Sequence, residues 1–473
     1  MSETLVSGPF AMRLPMSLDH ALASLRNRVQ GGDGPAAIRK RKAGPAKLLL
    51  VGYLSYVVIG WILLSLPFSQ AQPVSALDNL FTAVSAVSTT GLISVDPGTS
   101  YTFIGEVVIL ALIQFGGLGY MTMSSFAFLA LHAELSETQE ATTRTAFGLP
   151  NSIDPRLFLR SVVLFTFGCE AVGAACLYGF FLAAGDPMPL WSAIFHAVSA
   201  FCTAGFSLYA DGFVPYAGHV GINATLAALS LLGAMGFIVV VDTIRRLGGR
   251  TRHYGFTSKV ILRMTVILVG LGTLLIFLIE PTIAGLNPAD RLLAAFFQAM
   301  SASSTVGFNT IPIDGIANGT AMVLMVLMVI GASPAGTGGG VKTTSFAALV
   351  ALVRSTLKGR ANVRFFRQRV PDAQVQLATT SMACYSAFLA IGLFLLLLTE
   401  PAARFETLAF EAISALGTVG LSLGATGDLS PLGKLVIIGL MLIGRLGVLT
   451  FGFATATPDG EEGTASGDDE LAV

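Results

Sequence analysis

The sequence has little charge and no excess of either sign. Of its 473 residues only 12% are Asp, Glu, Lys or Arg, and 28 basic residues balance 28 acidic ones. A chain without a basic excess lacks the electrostatic surface that nucleic-acid binding requires, so we expect no nucleic-acid partner. The four cysteines form no C-x-x-C pair and the five histidines form no H-E-x-x-H pattern, so neither zinc-site motif is present. We expect no enzyme activity and no organic cofactor in this chain.

Long apolar stretches take up most of the chain. The hydrophobic share is 53% and the mean hydropathy is +0.74, which predicts a multi-pass membrane protein. A bilayer core of about 30 Å needs roughly 20 apolar residues in a helix. Eight stretches meet that length: 46–66, 101–131, 157–184, 219–244, 258–280, 319–352, 376–399 and 431–455. Four shorter stretches, one between the members of each successive pair, are candidates for re-entrant helices: 78–90, 192–204, 293–306 and 406–419.

The basic residues predict the orientation of the chain. Cytoplasmic loops of membrane proteins accumulate Lys and Arg. Of the 28 basic residues, 23 lie before the first stretch, at its edge (Lys47) or in the loops 132–160, 245–263 and 354–370. We therefore expect a protein of the cytoplasmic (inner) membrane with both termini in the cytoplasm. The first 44 residues have no apolar core, so we expect no cleavable signal peptide.

The four shorter stretches contain one repeated motif, F-x-A-x-S-A-x-x-T-x-G. Its gap-free copies lie at residues 81–91, 195–205, 297–307 and 410–420. Small residues in such a pattern can also be packing seams between membrane helices. Four copies at similar spacing favour instead a repeated unit of helix, re-entrant helix, Thr-x-Gly loop and helix.

Four non-helical loops at membrane depth need a common environment. Such backbone is tolerated only where it is buried in protein or lines a water-filled cavity, so the loops are best satisfied around one aqueous axis. The C-terminal end of each preceding helix would direct its partial negative charge at that axis. The sequence therefore predicts a pore whose backbone carbonyls bind a monovalent cation.

Further motifs carry a resemblance to a known family. They are QFGGLGY at 114–120, GASPAGTGGGVKTT at 331–344 and GRLG at 444–447. Together with the fourfold motif, they make the chain similar to the Trk/Ktr/HKT superfamily of potassium transporters over about residues 46–455. The resemblance implies an all-α membrane protein with four helix–pore helix–helix repeats around one central pore, comprising eight spanning and four re-entrant helices in pseudo-fourfold symmetry. It also implies a homodimer that works with a cytosolic nucleotide-binding (RCK-type) regulatory subunit.

The resemblance assigns the selectivity filter to the Thr-x-Gly loops. The filter glycines of the family correspond to Gly91, Gly205, Gly307 and Gly420. In the plant branch a serine at the first position accompanies sodium transport, so four glycines favour potassium (K+) as the transported ion. The loops differ from the T-V-G-Y-G of potassium channels, and we expect looser selectivity. The residues expected to supply the other carbonyls are Ser88, Thr89, Thr90, Cys202, Thr203, Ala204, Ser304, Thr305, Val306, Gly417, Thr418 and Val419.

The sixth apolar stretch contains one proline and four glycines within residues 333–340, which predicts a break in the helix. In the family this segment is an intramembrane loop beneath the filter, and we expect it to be the gate; the alternative is a packing kink. The segment is not a P-loop, because Val341 separates Gly340 from Lys342 and no strand precedes it.

Lys342 and Arg445 are ionisable residues inside predicted spans, which makes each a candidate functional residue. Arg445 matches the arginine of the family's last helix, where a fixed positive charge below the filter would slow a cation; a packing role is the alternative. The expected gate residues are Gly336, Thr337, Gly338, Gly339, Gly340, Lys342 and Arg445.

These assignments divide the chain into a basic cytoplasmic segment, four repeats and an acidic cytoplasmic tail that we expect to be disordered. The repeats are 46–131, 157–247, 258–357 with the intramembrane loop 331–344, and 374–455; the two ends are 1–45 and 456–473. The basic loops between the repeats could contact anionic membrane lipid as well as a regulatory subunit.

Other polar residues leave alternatives open. One column of the motif is polar in every copy, and we expect it to form hydrogen bonds behind the filter rather than ligate the ion: Thr82, His196, Gln298 and Glu411. Glu170, inside the third stretch, is either a packing residue or a proton site for coupled transport. Asp186, Glu280 and Glu400 end first helices, where they could concentrate cations at the pore mouth. A sodium-permeable transporter or an H+- or Na+-coupled symporter on the same fold is the alternative function.

Overall fold

The computed structural model describes residues 45–119, 155–249, 253–360, 362–365, 368–449 and 451. These residues are mostly helical, as the sequence predicts. The predictions for residues 1–44, for the acidic tail and for the end of the second apolar stretch lie outside the described residues.

The described helices fall into four groups, each with a first helix, a short helix and a second helix. Their bounds are α1 (Pro45–Ser65), α2 (Ala76–Val87) and α3 (Phe103–Leu118); α4 (Pro155–Ala184), α5 (Pro189–Phe201), α6 (Val220–Met235) and α7 (Phe237–Leu247); α8 (Phe256–Ile279), α9 (Pro288–Ser304), α10 (Asn318–Val329) and α11 (Thr343–Thr356); α12 (Asp372–Thr399), α13 (Phe405–Gly417) and α14 (Pro431–Leu446). Single helical turns occur at Pro67–Ser69, Pro97–Ser100, Val214–Tyr216 and Thr426–Asp428, and a small antiparallel hairpin joins β1 (Arg364–Phe365) to β2 (Gln368–Arg369).

Three helices of the described chain are long and apolar enough to cross a membrane by length and composition. They are Arg160–Ala184 within α4, α8 and α12, and the bent pair α6–α7 makes a fourth if it counts as one span. Shorter apolar helices of 10–17 residues are Leu50–Ser65 within α1, and α2, α3, α5 and α10. The chain is therefore an apolar, helical membrane protein, and the number of eight spans stays a prediction.

The predicted span 219–244 is not one straight helix but two, α6 and α7, and this bend was not predicted. Helices α6 and α7 meet at an angle of 100°. Gly236 forms the break with φ +81°, a conformation that residues with a side chain rarely adopt. The helices α3 and α14 end in the same way, at Gly119 and Gly447. Single glycines are common in membrane helices, which is why this one did not signal a bend in the sequence.

The packing between groups is cyclic. The second helix of each group packs against the short helix of the next: α3 on α5, α6 on α9, and α10 on α13. Helix α14 of the last group packs on α2 of the first and closes the cycle.

Within each group, a glycine of the first helix lies against a leucine of the second. A Cβ at any of these glycines would come under 3.0 Å from the leucine side chain, so glycine permits the close approach of the two helices. The four pairs are Gly60 with Leu112, Gly173 with Leu229, Gly272 with Leu327 and Gly392 with Leu440. The same glycine–leucine contact therefore occurs once in each of the four helix groups, as the sequence motif does.

Candidate functional site

Each short helix ends in a Thr-x-Gly loop with the same backbone shape. The threonines adopt the left-handed conformation, and the glycine two residues later again has positive φ. The threonine φ angles are 51° at Thr89, 52° at Thr203, 60° at Thr305 and 50° at Thr418. The glycine φ angles are 86° at Gly91, 69° at Gly205, 82° at Gly307 and 95° at Gly420. Threonine is β-branched and rarely left-handed, so four such residues mark four similarly constrained loops.

The four glycines form a closed ring. A Cβ built on Gly91 would overlap the carbonyl oxygen of Ala204 in the next loop. The same relation continues from Gly205 to the carbonyl of Val306, from Gly307 to that of Val419, and from Gly420 to that of Thr90. Backbone oxygens and glycine Cα atoms of all four loops thus meet in one cycle, where a side chain larger than hydrogen does not fit.

Hydrogen bonds of one pattern hold the loops to their helices. In every copy the residue before the glycine donates its N–H to the carbonyl of the motif serine, at 2.9 Å for Thr90 to Ser85 and 2.8 Å for Ala204 to Ser199. The other two bonds are 3.1 Å for Val306 to Ser301 and 2.9 Å for Val419 to Ser414. These residues are buried, so hydrogen bonds within the protein, and not hydrogen bonds to water, hold the loops in place.

The non-helical segment 330–342, between α10 and α11, lies directly against threonines of the Thr-x-Gly loops. Thr337 Oγ1 is 3.1 Å from Thr203 Oγ1 and donates to the carbonyl of Phe201 at 3.1 Å. A Cβ on Gly338 would overlap Thr305 Oγ1, and one on Gly339 would overlap Thr418 Oγ1. Three of the four threonines therefore face this segment.

Arg445 contacts both the remaining loop threonine, Thr89, and the segment 330–342. Its Nη1 donates to Thr89 Oγ1 at 2.8 Å and also to the carbonyl of Thr337. Its Nη2 donates to the carbonyls of Gly116 and Gly117 at the end of α3. One guanidinium thus joins α14, α3, the first Thr-x-Gly loop and the segment 330–342, as its planar set of donors allows.

Lys342 is a second basic residue at this site and lies within the segment itself. Its Nζ donates to the carbonyl of Gly338 at 2.8 Å. Two further glycines of the segment leave no room for a side chain: a Cβ on Gly336 would overlap the carbonyl oxygen of Ala234, and one on Gly340 would overlap the backbone of Gly331. The residues that the sequence assigns to the filter and to the gate are therefore adjacent in space.

The acidic ends of the first helices are engaged in hydrogen bonds. Glu280 accepts from the N–H of Ala317, at the start of α10, at 3.2 Å, and Glu400 accepts from the N–H of Ser430, at the start of α14, at 2.9 Å. Asp186 accepts from Tyr209 Oη and Ser192 Oγ. These contacts tie the first helix to the remainder of its group and favour a structural role.

The sequence did not predict the packing of several residues around the site, although two of the motifs quoted above contain some of them. The first glycine of each G-x-[LM]-G pattern packs on a short-helix carbonyl: Gly116 on Val87, Gly233 on Phe201 and Gly444 on Leu416. The three patterns at 116–119, 233–236 and 444–447 share this spacing, which was the available signal. The ion pair of Lys434 Nζ with Asp78 Oδ1, at 2.7 Å, had no such signal.

The fold and the loop ring define a helical membrane protein of the cation transporter class. A family model described as "TrkH: Cation transport protein" matches residues 54–461. The chain belongs to this TrkH family, whose members are transporters and not enzymes.

Similar proteins cover nearly the whole chain. The "Ktr system potassium uptake protein B" of Vibrio alginolyticus is 35% identical over 425 residues, 89% of this chain and 93% of the relative. The "Potassium/sodium uptake protein NtpJ" of Enterococcus hirae is 32% identical over 427 residues, 88% of this chain and 94% of the relative. Among solved structures, the potassium transporter TrkH from Vibrio parahaemolyticus matches with a TM-score of 0.70 at 20% identity, over 92% of this chain and 89% of that chain. This last similarity concerns the fold.

Proposed function

We propose that this chain is the membrane subunit of a potassium uptake system, and that potassium crosses the cytoplasmic membrane through the ring of the four Thr-x-Gly loops. The closed cycle of glycines and carbonyls carries this proposal. Rings of backbone carbonyls can replace the hydration shell of a monovalent cation. The relatives named as potassium uptake proteins support potassium as the ion.

In this proposal the four helix groups are four repeats around one pore, with eight spanning and four re-entrant helices in pseudo-fourfold arrangement. The cyclic packing of second helices on short helices supports it. Each short helix ends at the ring, so the partial negative charge of its C-terminus favours a cation there. The basic loops and both termini lie on the cytoplasmic side.

The segment 330–342 is the proposed gate. It lies against Thr203, Thr305 and Thr418, and Arg445 fixes it through the carbonyl of Thr337. The positive charges of Arg445 and Lys342 oppose the passage of a cation below the ring. Opening of the pore then requires that the segment 330–342 move away from the loop threonines. The glycines of the segment permit the backbone rotations that this movement needs.

The proposed partners are a second copy of the chain and a cytosolic nucleotide-binding (RCK-type) regulatory subunit. The names of three relatives describe proteins of a Ktr system, which supports a multi-component assembly.

Cation flux into proteoliposomes under an imposed potassium gradient tests the function. Potassium, rubidium, sodium and lithium are compared, with and without a protonophore. We expect potassium flux that follows its own gradient and does not change with the protonophore. Absence of potassium flux in vesicles that contain correctly folded protein would contradict the proposal.

Sodium-permeable or coupled transport is the second candidate. The relative from Enterococcus hirae is named a potassium/sodium uptake protein. In addition, Glu170 is buried with Oε1 at 3.8 Å from Sγ of the filter residue Cys202. Potassium flux that requires sodium or a proton gradient, and that loses this requirement in Glu170→Gln, would favour coupled transport.

A further inference from the structure

Two residues of the polar motif column make the same hydrogen bonds in different copies. Glu411 on α13 accepts from Ser422 Oγ at 2.5 Å and from the N–H of Leu423 at 3.0 Å. His196 on α5 has its Nε2 3.1 Å from Ser207 Oγ and accepts from the N–H of Leu208 at 3.2 Å. In both copies these partners stand two and three residues after the filter glycine.

The geometry fixes the chemical role of His196. The N–H of Leu208 can only donate, so Nε2 is an acceptor. The carbonyl of Ser192 lies 2.8 Å from Nδ1 and can only accept, so Nδ1 carries the hydrogen. The ring is therefore a neutral imidazole whose acceptor nitrogen holds the loop, and it stacks on Tyr209 at 4.8 Å between ring centres.

The serine of each loop completes the same turn. Ser207 Oγ accepts from the N–H of Tyr209 at 3.0 Å, and Ser422 Oγ accepts from the N–H of Gly424 at 2.9 Å. Glu411 accepts a third bond, from Thr426 Oγ1 at 2.6 Å. Histidine and glutamate differ in charge and shape, so their common feature is a buried acceptor directed at the loop.

The other two copies have weaker connections. Gln298 donates from Nε2 to Thr310 Oγ1 at 3.2 Å, and its amide oxygen has no hydrogen-bond partner among the described residues. Thr82 accepts from Tyr101 Oη at 3.2 Å, far along the chain from its filter glycine. The ring runs through the copies in sequence order, so the two strong connections, of the second and fourth copies, lie opposite each other.

We propose that His196 and Glu411 are positioning residues for ion selection, a proposal that rests on the proposed function. The short helices surround the ring, so bonds to His196 and Glu411 restrain two opposite loops against inward movement. A ring restrained in this way resists contraction around the smaller sodium ion and retains its preference for potassium. The chemical requirement at both positions is a hydrogen-bond acceptor, and the negative charge of Glu411 is not needed.

The test compares variants with and without an acceptor in proteoliposomes that contain the full chain. Glu411→Leu and His196→Phe remove the acceptor, whereas Glu411→Gln and His196→Gln keep one. We expect the ratio of potassium to sodium flux to fall about tenfold in the first two, the size of one or two lost net hydrogen bonds, and to stay within about threefold in the glutamine variants.

Thr82→Val is the matched control. Thr82 lies in the same column, is equally buried and loses a hydrogen bond on replacement, but among the described residues its side chain makes no hydrogen bond to residues two or three positions after its glycine. Its flux ratio should equal that of the wild type. An unchanged ratio in Glu411→Leu and His196→Phe, or an equal fall in Thr82→Val, overturns the proposal.

If Glu411→Leu and His196→Phe fail to fold, variants of the serines that bond to these residues still decide the question. Ser422→Ala and Ser207→Ala remove one partner each from partly exposed positions. We expect a smaller fall of the flux ratio, about threefold, and an unchanged ratio contradicts the proposal. A folded wild type without potassium flux would overturn the proposed function, and with it this inference; a selective wild type with equally selective variants overturns this inference alone.

Discussion

Arg445 of α14 donates to the hydroxyl of Thr89, at the end of α2, at 2.8 Å, although 356 residues separate the two in the chain. Eleven residues earlier on both helices, Lys434 and Asp78 form an ion pair with the same separation of 356 residues. The two helices therefore run side by side in one direction and are joined at two levels. At the Arg445 level the guanidinium also contacts the segment 330–342, through the carbonyl of Thr337.

Replacement of Arg445 by alanine should increase potassium flux. The change removes a positive charge beneath the ring and releases the carbonyl of Thr337, and we expect an increase of about tenfold, equivalent to a barrier lower by about 1.4 kcal/mol. The measurement is potassium influx into proteoliposomes at equal protein content. Arg445→Lys separates the two causes, because it keeps the charge but cannot make the bonds of the guanidinium.

Lys434→Met is the matched control for Arg445→Ala. It removes a positive charge from the same helix, but in the described part of the chain neither Lys434 nor its partner Asp78 has a side-chain hydrogen bond or ion pair with the segment 330–342. We expect wild-type flux. A rate in Arg445→Ala no higher than that of Lys434→Met removes Arg445 from the gate.

Alanine at Gly338 or Gly339 should prevent the segment 330–342 from lying against the filter. The new Cβ would overlap Thr305 Oγ1 or Thr418 Oγ1, two short side chains in a buried site. We expect higher potassium flux, by about fivefold or more, because the new overlap destabilises the closed arrangement by about 1–3 kcal/mol. Gly439→Ala on α14 is the control, since a Cβ there meets nothing within 4 Å. Equal flux in all three variants would show that the close contact does not close the pore.

The sequence contained the local features of this site but not its long-range contacts. The fourfold motif located the four Thr-x-Gly loops whose glycines form the ring, and the Pro and Gly content of 333–340 indicated a break in the helix, because both signals depend on neighbouring residues. The contacts of Arg445 with Thr89 and Gly116 depend on how the fourth group meets the first, which no local pattern records. The bend at Gly236 was missed for a different reason: a single glycine costs a membrane helix little, and only the packing against the carbonyl of Pro334 makes it a break.

Serine at Gly91 should weaken ion discrimination. Gly91 has φ +86°, and a Cβ there would overlap the carbonyl oxygen of Ala204, so the ring must widen or distort at this point. We expect the ratio of potassium to sodium flux to fall about tenfold, since left-handed strain alone costs about 1–2 kcal/mol. Competition of sodium with rubidium uptake measures this ratio. Gly439→Ala should keep the wild-type ratio, and an equal ratio in Gly91→Ser would mean that the glycine ring does not select the ion.

The ion pair of Asp78 with Lys434 should make the protein sensitive to acid. Burial alone would raise the pKa of Asp78, but hydrogen bonds from Lys434 and Ser75 outweigh it and hold the pKa below its usual value. Because the folded pKa is the lower one, the carboxylate stabilises the fold above the unfolded pKa of about 4, and this contribution is lost as the pH falls through the folded value. The pair is partly solvated, so its contribution is at most about 1 kcal/mol.

We expect the melting temperature in detergent to fall more steeply below about pH 4 in the wild type than in Asp78→Asn. Parallel melting curves of the two proteins across that range would contradict the stabilising role of the pair.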